Sequence, residues 1–225
     1  VPSRWLWAGI IGLSTFGAIW APFIFSGTLN EALRALGQTV GLLPVLSANA
    51  HNFWYLFSMG DSFVSDTRPI LGPLSARMLG LGAFGAVYIF LLYALSKTPF
   101  SAKGLTSTAA YIAFAFFILS TEMHENYLFP TVALLAFTFW QSKRLKAFLF
   151  ILTLTAFANM ALHDVILKPD DWLPNITVTR LTILNSEINL VVFITWTFMI
   201  IRDVYIALAA QPGAAPEPGG NDNSG

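Results

Sequence analysis

Apolar residues in this chain come in long blocks, not in the short alternations of a water-soluble fold. The first block, residues 5–25, carries Trp5, Trp7 and Trp20 toward its ends and is closed by Pro22, which predicts a membrane span with aromatic side chains at headgroup level. From 26 to 75 the pattern changes. Glu31 and Arg34 lie three apart on one helical face, with Leu29, Leu33 and Leu36 on another, and predict a short interfacial helix. Residues 41–60 are apolar but broken by Pro44, Asn49, His51 and Asn52. They read as a re-entrant element, because irregular backbone at membrane depth is tolerated only against protein or a water-filled cavity. Residues 60–73, with Asp61, Asp66, Arg68, Pro69 and Gly72-Pro73, read as a loop.

Five further blocks, at 75–95, 106–121, 127–140, 145–162 and 183–201, predict further spans. Gly80, Gly82 and Gly85 in the first of these allow a neighbouring helix to come close. The stretch 163–182, with Asp164, Lys168, Asp170, Asp171 and Arg180, reads as a polar loop. The expected fold is therefore all-α, a polytopic transmembrane bundle of about six full spans plus a re-entrant or interfacial segment, over residues 1–208. The Pro/Gly-rich tail, 209–225, cannot bury a core and is expected to be disordered.

Composition agrees with the pattern. Of 225 residues, 56% are hydrophobic and only 11% charged, where soluble domains carry about a quarter charged residues. An integral membrane protein follows. The net charge of zero gives no footprint for nucleic acid. The absence of cysteine excludes disulfides, thiolate metal sites and a Cys nucleophile, and three histidines are few for a histidine-rich metal site. The chain opens Val1-Pro2-Ser3-Arg4 with no signal peptide, and its start without Met reads as one part of a longer polytopic protein. If residues 41–60 do not cross, Lys97 with Lys103, the group Lys143, Arg144 and Lys146, and Arg202 share one side, cytoplasmic by the positive-inside rule, with Arg4 in weak agreement. The 26–75 region, the turn at 122–126 and the 163–182 loop share the other.

That other side holds the unusual polar residues. Glu122, His124 and Glu125 fall between two apolar blocks, where ionisable side chains are functional by default; the plainer reading is a solvated turn. A carboxylate there can accept a proton, orient a hydroxyl or help hold a divalent metal. Asn49, His51 and Asn52 directly precede Phe53, Trp54 and Tyr55. Amides donate to and accept from sugar hydroxyls and aromatic faces offer apolar surface, although an aromatic belt is the alternative. His163-Asp164 reads as solvated loop. Arg34, Arg68, Arg77, Lys168 and Arg180 are cations able to receive a phosphate, Arg68 the best placed beside Asp66 and Pro69. Asn185 and Asn189, four apart, either line a cavity or bond to a neighbouring helix. Polar residues cluster at the outer ends of spans, Asn159 excepted, which favours an enzyme over the rival reading, a transporter or flippase with a midplane path. A non-catalytic assembly subunit is a third class.

The run Asn49-Ala50-His51-Asn52-Phe53-Trp54, followed by His124-Glu125-Asn126-Tyr127-Leu128-Phe129-Pro130, resembles membrane glycosyltransferases of the GT-C class, bacterial mannosyltransferase-like members among them. The second run is similar to their His-Glu-Arg-Tyr-Leu-Phe-Pro pattern, with Asn126 in place of the usual Arg or Lys. The resemblance covers roughly residues 5–140 and, more loosely, the last span. It implies transfer of a hexose from a polyprenyl-phosphate carrier to a glycan, lipid or protein acceptor on the extracytoplasmic side of a bacterial inner membrane. It further implies that this chain is the C-terminal half and that the general base lies outside it. Together with the reading of the residues themselves, the expected substrate-binding set is Glu122, His124, Glu125, Asn49, His51, Asn52, Trp54 and Arg68.

Overall fold

The computed structural model describes residues 2–39, 42–61, 63–98, 101–163, 169 and 173–209. Asp164, Lys168, Asp170 and Asp171 of the predicted polar loop, and the tail beyond residue 209, lie outside the described residues. The chain divides into two compact units between Leu43 and Pro44.

The first unit is two helices, α1 (Pro2–Phe25) and α2 (Leu29–Thr39). Apolar side chains stand exposed on every side of α1, among them Leu6, Ile10, Leu13, Phe16 and Ile19, as on a helix solvated by hydrocarbon. A Schellman closure ends it. Gly27 takes the left-handed φ of +73°, Thr28 N–H donates to Phe23 O at 2.9 Å and Gly27 N–H to Ile24 O at 3.2 Å. The chain then bends by 116° into α2, which carries Glu31 and Arg34 as expected of the amphipathic segment.

The second unit contains α3 (Phe53–Phe57), a hairpin of β1 (Pro69–Leu71) and β2 (Leu74–Ser75), α4 (Ala76–Lys97), α5 (Ala102–Leu119), α6 (Phe129–Ala136), α7 (Lys143–His163) and α8 (Asn175–Ala209). The hairpin, turning on Gly72 at φ +57°, lies within and just past what the sequence presented as a plain loop. Helix α5 forms the centre: Ala110, Tyr111, Phe114, Ala115, Phe117 and Ile118 are all buried. Around it α8 is inverted relative to a soluble helix. Its inner stripe is polar toward the N-terminus (Thr182, Asn185, Ser186, Asn189) and its outer stripe apolar (Leu184, Ile188, Val191, Phe198). Hydrocarbon outside and hydrogen-bonding partners inside account for that inversion.

The structure corrects the count of six spans. Among the described residues three helices, α4, α7 and α8, are long and apolar enough to cross a membrane, and a fourth span is added only if the bent α1–α2 pair counts as one. The apolar part of α5, Gly104–Leu119, is shorter than a full span. The block at 127–140 is broken into a 3-10 turn (Glu125–Leu128), the eight-residue α6 and a second 3-10 turn (Phe139–Gln141). Pro130 opens α6, and Thr138, whose hydroxyl donates to Leu135 O at 3.2 Å, marks its end. The last helix is longer than predicted at both ends: it starts at Asn175, inside the supposed polar loop.

Of the three glycines on α4, one makes a close approach. A Cβ on Gly80 would collide with the carbonyl of Leu119 and sit 3.1 Å from the Trp54 indole nitrogen, whereas Gly82 and Gly85 have nothing within 4 Å. Gly80 thus seats the start of α4 against the end of α5. The contacts sort the unit into two ends. One holds the start of α4, the ends of α5 and α7, the start of α8 and the segment from 44 to 60. The other holds the starts of α5 and α7 and the latter half of α8. Residues 44–60 begin and finish at the first end and do not cross the bundle.

Candidate functional site

The segment from Pro44 to Gly60 has little regular structure, so its backbone polar groups need partners from elsewhere. It finds them across the fold. Leu46 N–H donates to Val64 O at 2.7 Å, Ala48 N–H to Met123 O at 2.9 Å, and Glu122 N–H to Val45 O at 3.1 Å. Ala48 and Asn49 both pair with His124 as isolated β-bridges. The two runs singled out in the sequence therefore lie side by side, joined through their main chains.

Two side-chain systems hold this arrangement. The first lies beneath it. Asn159 clamps the segment with both ends of its amide: His51 N–H donates to its Oδ1 at 2.9 Å and its Nδ2 donates to Asn49 O at 2.7 Å. Asn189 Nδ2 donates to His51 O at 2.9 Å. Asn185 Nδ2 donates to Thr155 O at 2.9 Å and lies 2.7 Å from His51 Nδ1. That ring nitrogen is therefore the acceptor, which leaves the His51 Nε2–H to donate to His163 Nε2 at 2.9 Å. Asn52 caps α3, accepting from Tyr55 N–H at 3.0 Å, while its Nδ2 donates to Phe117 O and Ser120 O at the end of α5. Trp54 Nε1–H donates to Leu119 O at 2.6 Å, and Tyr55 O–H to Thr182 Oγ1 at 3.1 Å.

The second system is ionic. Asp66, fully buried, receives Arg77 Nε at 2.9 Å and Nη2 at 3.0 Å, and Thr121 Oγ1–H at 2.7 Å. Arg77 Nη2 also donates to Glu122. Arg77 and Glu122 keep 25% and 18% of their side-chain surface, so this pair reaches the outside and Asp66 does not. Glu122 is also bent into the left-handed region at φ +61°, as is Asn49 at +64°. Non-glycine residues rarely occupy it, and a Glu less readily than an Asn; such strain gathers at functional sites. Beyond them His124 and Glu125 stand 3.9 Å apart with 39% and 35% of their surfaces open.

Comparison with protein-family models, with curated proteins and with solved structures finds no match to this chain. The site is accordingly read from its own geometry. The eight residues expected to bind substrate separate into two groups. His51, Asn52 and Trp54 are buried and their polar side-chain atoms are bonded within the protein. Asn49, Arg68, Glu122, His124 and Glu125 retain open surface at the same end of the unit. Arg68 is exposed, and it is Arg77 that enters the ionic cluster. A signal for this was present: Arg77 sits in the first turn of α4, at the positive end of the helix dipole, where a cation needs nearby carboxylates. His163 was likewise not assigned to the site, although Asn159 and His163 share the four-residue spacing of Asn185 and Asn189. Among the described residues no three His, Asp or Glu side chains converge as a divalent metal would require, and Arg77 holds both Asp66 and Glu122.

Burial, and then the neighbouring His163, hold the His51 imidazole well below its ordinary value of 6.5. The folded protein thus takes up this proton less readily than the unfolded chain, and its stability falls as pH drops below about 6.5, by up to about 1.4 kcal/mol per pH unit. Thermal unfolding in detergent should give a midpoint that is flat above about pH 7 and declines toward pH 5. A His51→Gln variant, less stable throughout, should lose most of that decline; an unchanged slope would remove His51 as its source.

Proposed function

We propose that the chain is part of an integral-membrane glycosyltransferase, which moves a mannose-like hexose from a polyprenyl-phosphate carrier to a glycan, lipid or protein acceptor. The observation that carries this reading is the pairing of Ala48 and Asn49 with His124. Two runs that resemble a GT-C enzyme only when taken together are neighbours in space. Helices able to cross a membrane give a lipid-borne donor its route to them. The basic residues Lys97, Lys143, Arg144 and Arg202 lie toward the opposite end, which supports an extracytoplasmic location for the site, at a bacterial inner membrane.

In this reading the buried residues shape the site and the open ones meet the ligand. Asn52, Trp54 and His51 fix the segment onto α5, α7 and α8. Asn49 and Glu125 offer acceptors and donors to sugar hydroxyls, while His124, when protonated, and Arg68 offer positive charge to the departing phosphate. Arg77, already shared between Asp66 and Glu122, orients Glu122. Asn159, Asn185 and Asn189, the polar residues along the helices, bond to the segment's own backbone and side chains, which favours this reading over a transport path.

The test is transfer of labelled hexose from a polyprenyl-phosphate donor by membranes carrying the complete protein. Loss of a hydrogen bond to a charged group is worth about 1.5–3 kcal/mol, or about one to two orders of magnitude in rate. His124→Ala and Glu125→Gln should each fall by that factor at unchanged membrane abundance. Wild-type rates in both would leave a solvated turn.

A further inference from the structure

At the end of the second unit remote from this site, a cleft of about 420 Å³ opens between the start of α7 and the latter half of α8. That volume is within the range of roughly 300–1,000 Å³ typical of small-molecule sites. Its lining is divided by chemistry. Lys143 and Arg144 are its cations; Leu145, Phe148, Trp196, Met199 and Ile200 are its apolar lining, the rings of Phe148 and Trp196 stacked with centroids 5.0 Å apart. Both rings are buried, so the wall is rigid as well as apolar. Asp203, the carboxylate of the cleft, is neutralised by Arg202, whose Nη2 and Nε donate to its Oδ1 at 2.5 and 3.1 Å. Among the described residues, neither Lys143 nor Arg144 is engaged in an ion pair. The cleft therefore joins two uncompensated cations to a flat apolar surface.

We propose that this cleft binds an anionic phospholipid. The phosphate meets Lys143 and Arg144, and the first part of an acyl chain lies along Leu145, Met199 and Ile200, which the buried Phe148 and Trp196 rings support from within. Charge complementarity supplies one half of this assignment. The other half is position: the cleft lies at the start of α7 and beside the latter half of α8, both long enough to cross a membrane, near the level where headgroup phosphates and the start of the acyl region coincide. A free phosphate would satisfy the cations but make no use of the partly exposed apolar lining, Leu145, Met199 and Ile200. The site is independent of the chemistry proposed for the opposite end.

Anisotropy of tail-labelled phosphatidylglycerol, titrated with the purified chain in non-ionic detergent, tests the assignment. Each surface cation contributes about 1 kcal/mol of attraction to an anionic lipid, so Lys143→Gln with Arg144→Gln together should weaken binding about thirtyfold. The control is Lys146→Gln, a neighbouring exposed cation that does not line the cleft, and it should leave affinity within about twofold. Unlabelled phosphatidylglycerol should displace the probe, and phosphatidylcholine and inorganic phosphate should not. Equal losses from Lys146→Gln would mean diffuse attraction, not a site, and overturn the proposal. So would displacement by inorganic phosphate alone, which would identify a soluble anion site, or by phosphatidylcholine, which would make the cations irrelevant.

Discussion

An Arg77→Gln variant is expected to lose about 3–5 kcal/mol of stability, the cost of breaking a buried ion pair from one side. Asp66 is the reason. Its carboxylate is fully buried, and apart from the Thr121 hydroxyl its side-chain partners are the two guanidinium contacts of Arg77. Glutamine can replace one hydrogen bond but not the charge, so an anion would remain in a medium that solvates it poorly. The double variant Asp66→Asn with Arg77→Gln should recover most of the loss, because the uncompensated charge goes with its partner. Glu122→Gln should cost less, about 1 kcal/mol or below, because that end of the network is partly in solvent. Unfolding of the three proteins in mixed micelles gives the comparison. A double variant as unstable as the single one would mean that packing of the Arg77 stem, not the Asp66 charge, sets the effect.

Asn52→Ala should be at least comparably damaging, by about 3–7 kcal/mol, and its signature should be lost protein, not slowed transfer. The amide makes three bonds that alanine cannot: it caps α3 and it donates to two carbonyls at the end of α5. Loss of the cap costs about 1 kcal/mol, and each buried carbonyl left without its donor about 1–3. Asn52→Asp separates the terms, since it keeps the cap while replacing the donor with an acceptor that faces two carbonyls. Asn49, exposed beside it, gives the contrast: Asn49→Gly, which keeps a residue at ease with the left-handed φ of +64°, should change stability by less than about 0.5 kcal/mol. A fully abundant, thermally normal Asn52→Ala protein with reduced transfer would return Asn52 to the set that touches substrate.

Much of the architecture was legible because it depends on local composition. The apolar run of α1, the change of character at residue 26 and the amphipathic α2 all follow from side chains a few positions apart. Gly27 at the bend is a local signal as well. The misreadings have local causes too. The charge-free, largely apolar stretch at 127–140 does not distinguish one span from a short helix between two 3-10 turns, because hydropathy records burial and not hydrogen-bond geometry. Helix α5 read as an ordinary span although it is the centre of the unit, since a helix apolar all round suits lipid and protein core equally. The start of α8 was hidden by the Asp and Pro residues before it; Pro174 precedes the first helical residue and does not break the helix.

For the site the division falls elsewhere. From sequence alone it was determined that this chain is an apolar, helical, membrane-associated protein, and that polar residues at 49–54 and 122–125 belong at one end of it if residues 41–60 turn back. Tertiary structure decided that residues 44–60 begin and end at one end of the second unit, that Asn49 pairs with His124, and that His51, Asn52 and Trp54 face inward while Glu122, His124 and Glu125 keep open surface. It also placed Arg77, and not Arg68, in the ion-pair cluster with Asp66 and Glu122. The physical reason is common to all of these. A polar side chain is stable in the interior only when its donors and acceptors are matched; the long-range groups that match His51, Asn52 and Trp54 come from 65 to 138 positions away along the chain, and those that match Asp66 from 11 and 55. Local pattern sets how unfavourable an unpaired Asn, His or Asp would be, and the folded chain alone supplies the partner.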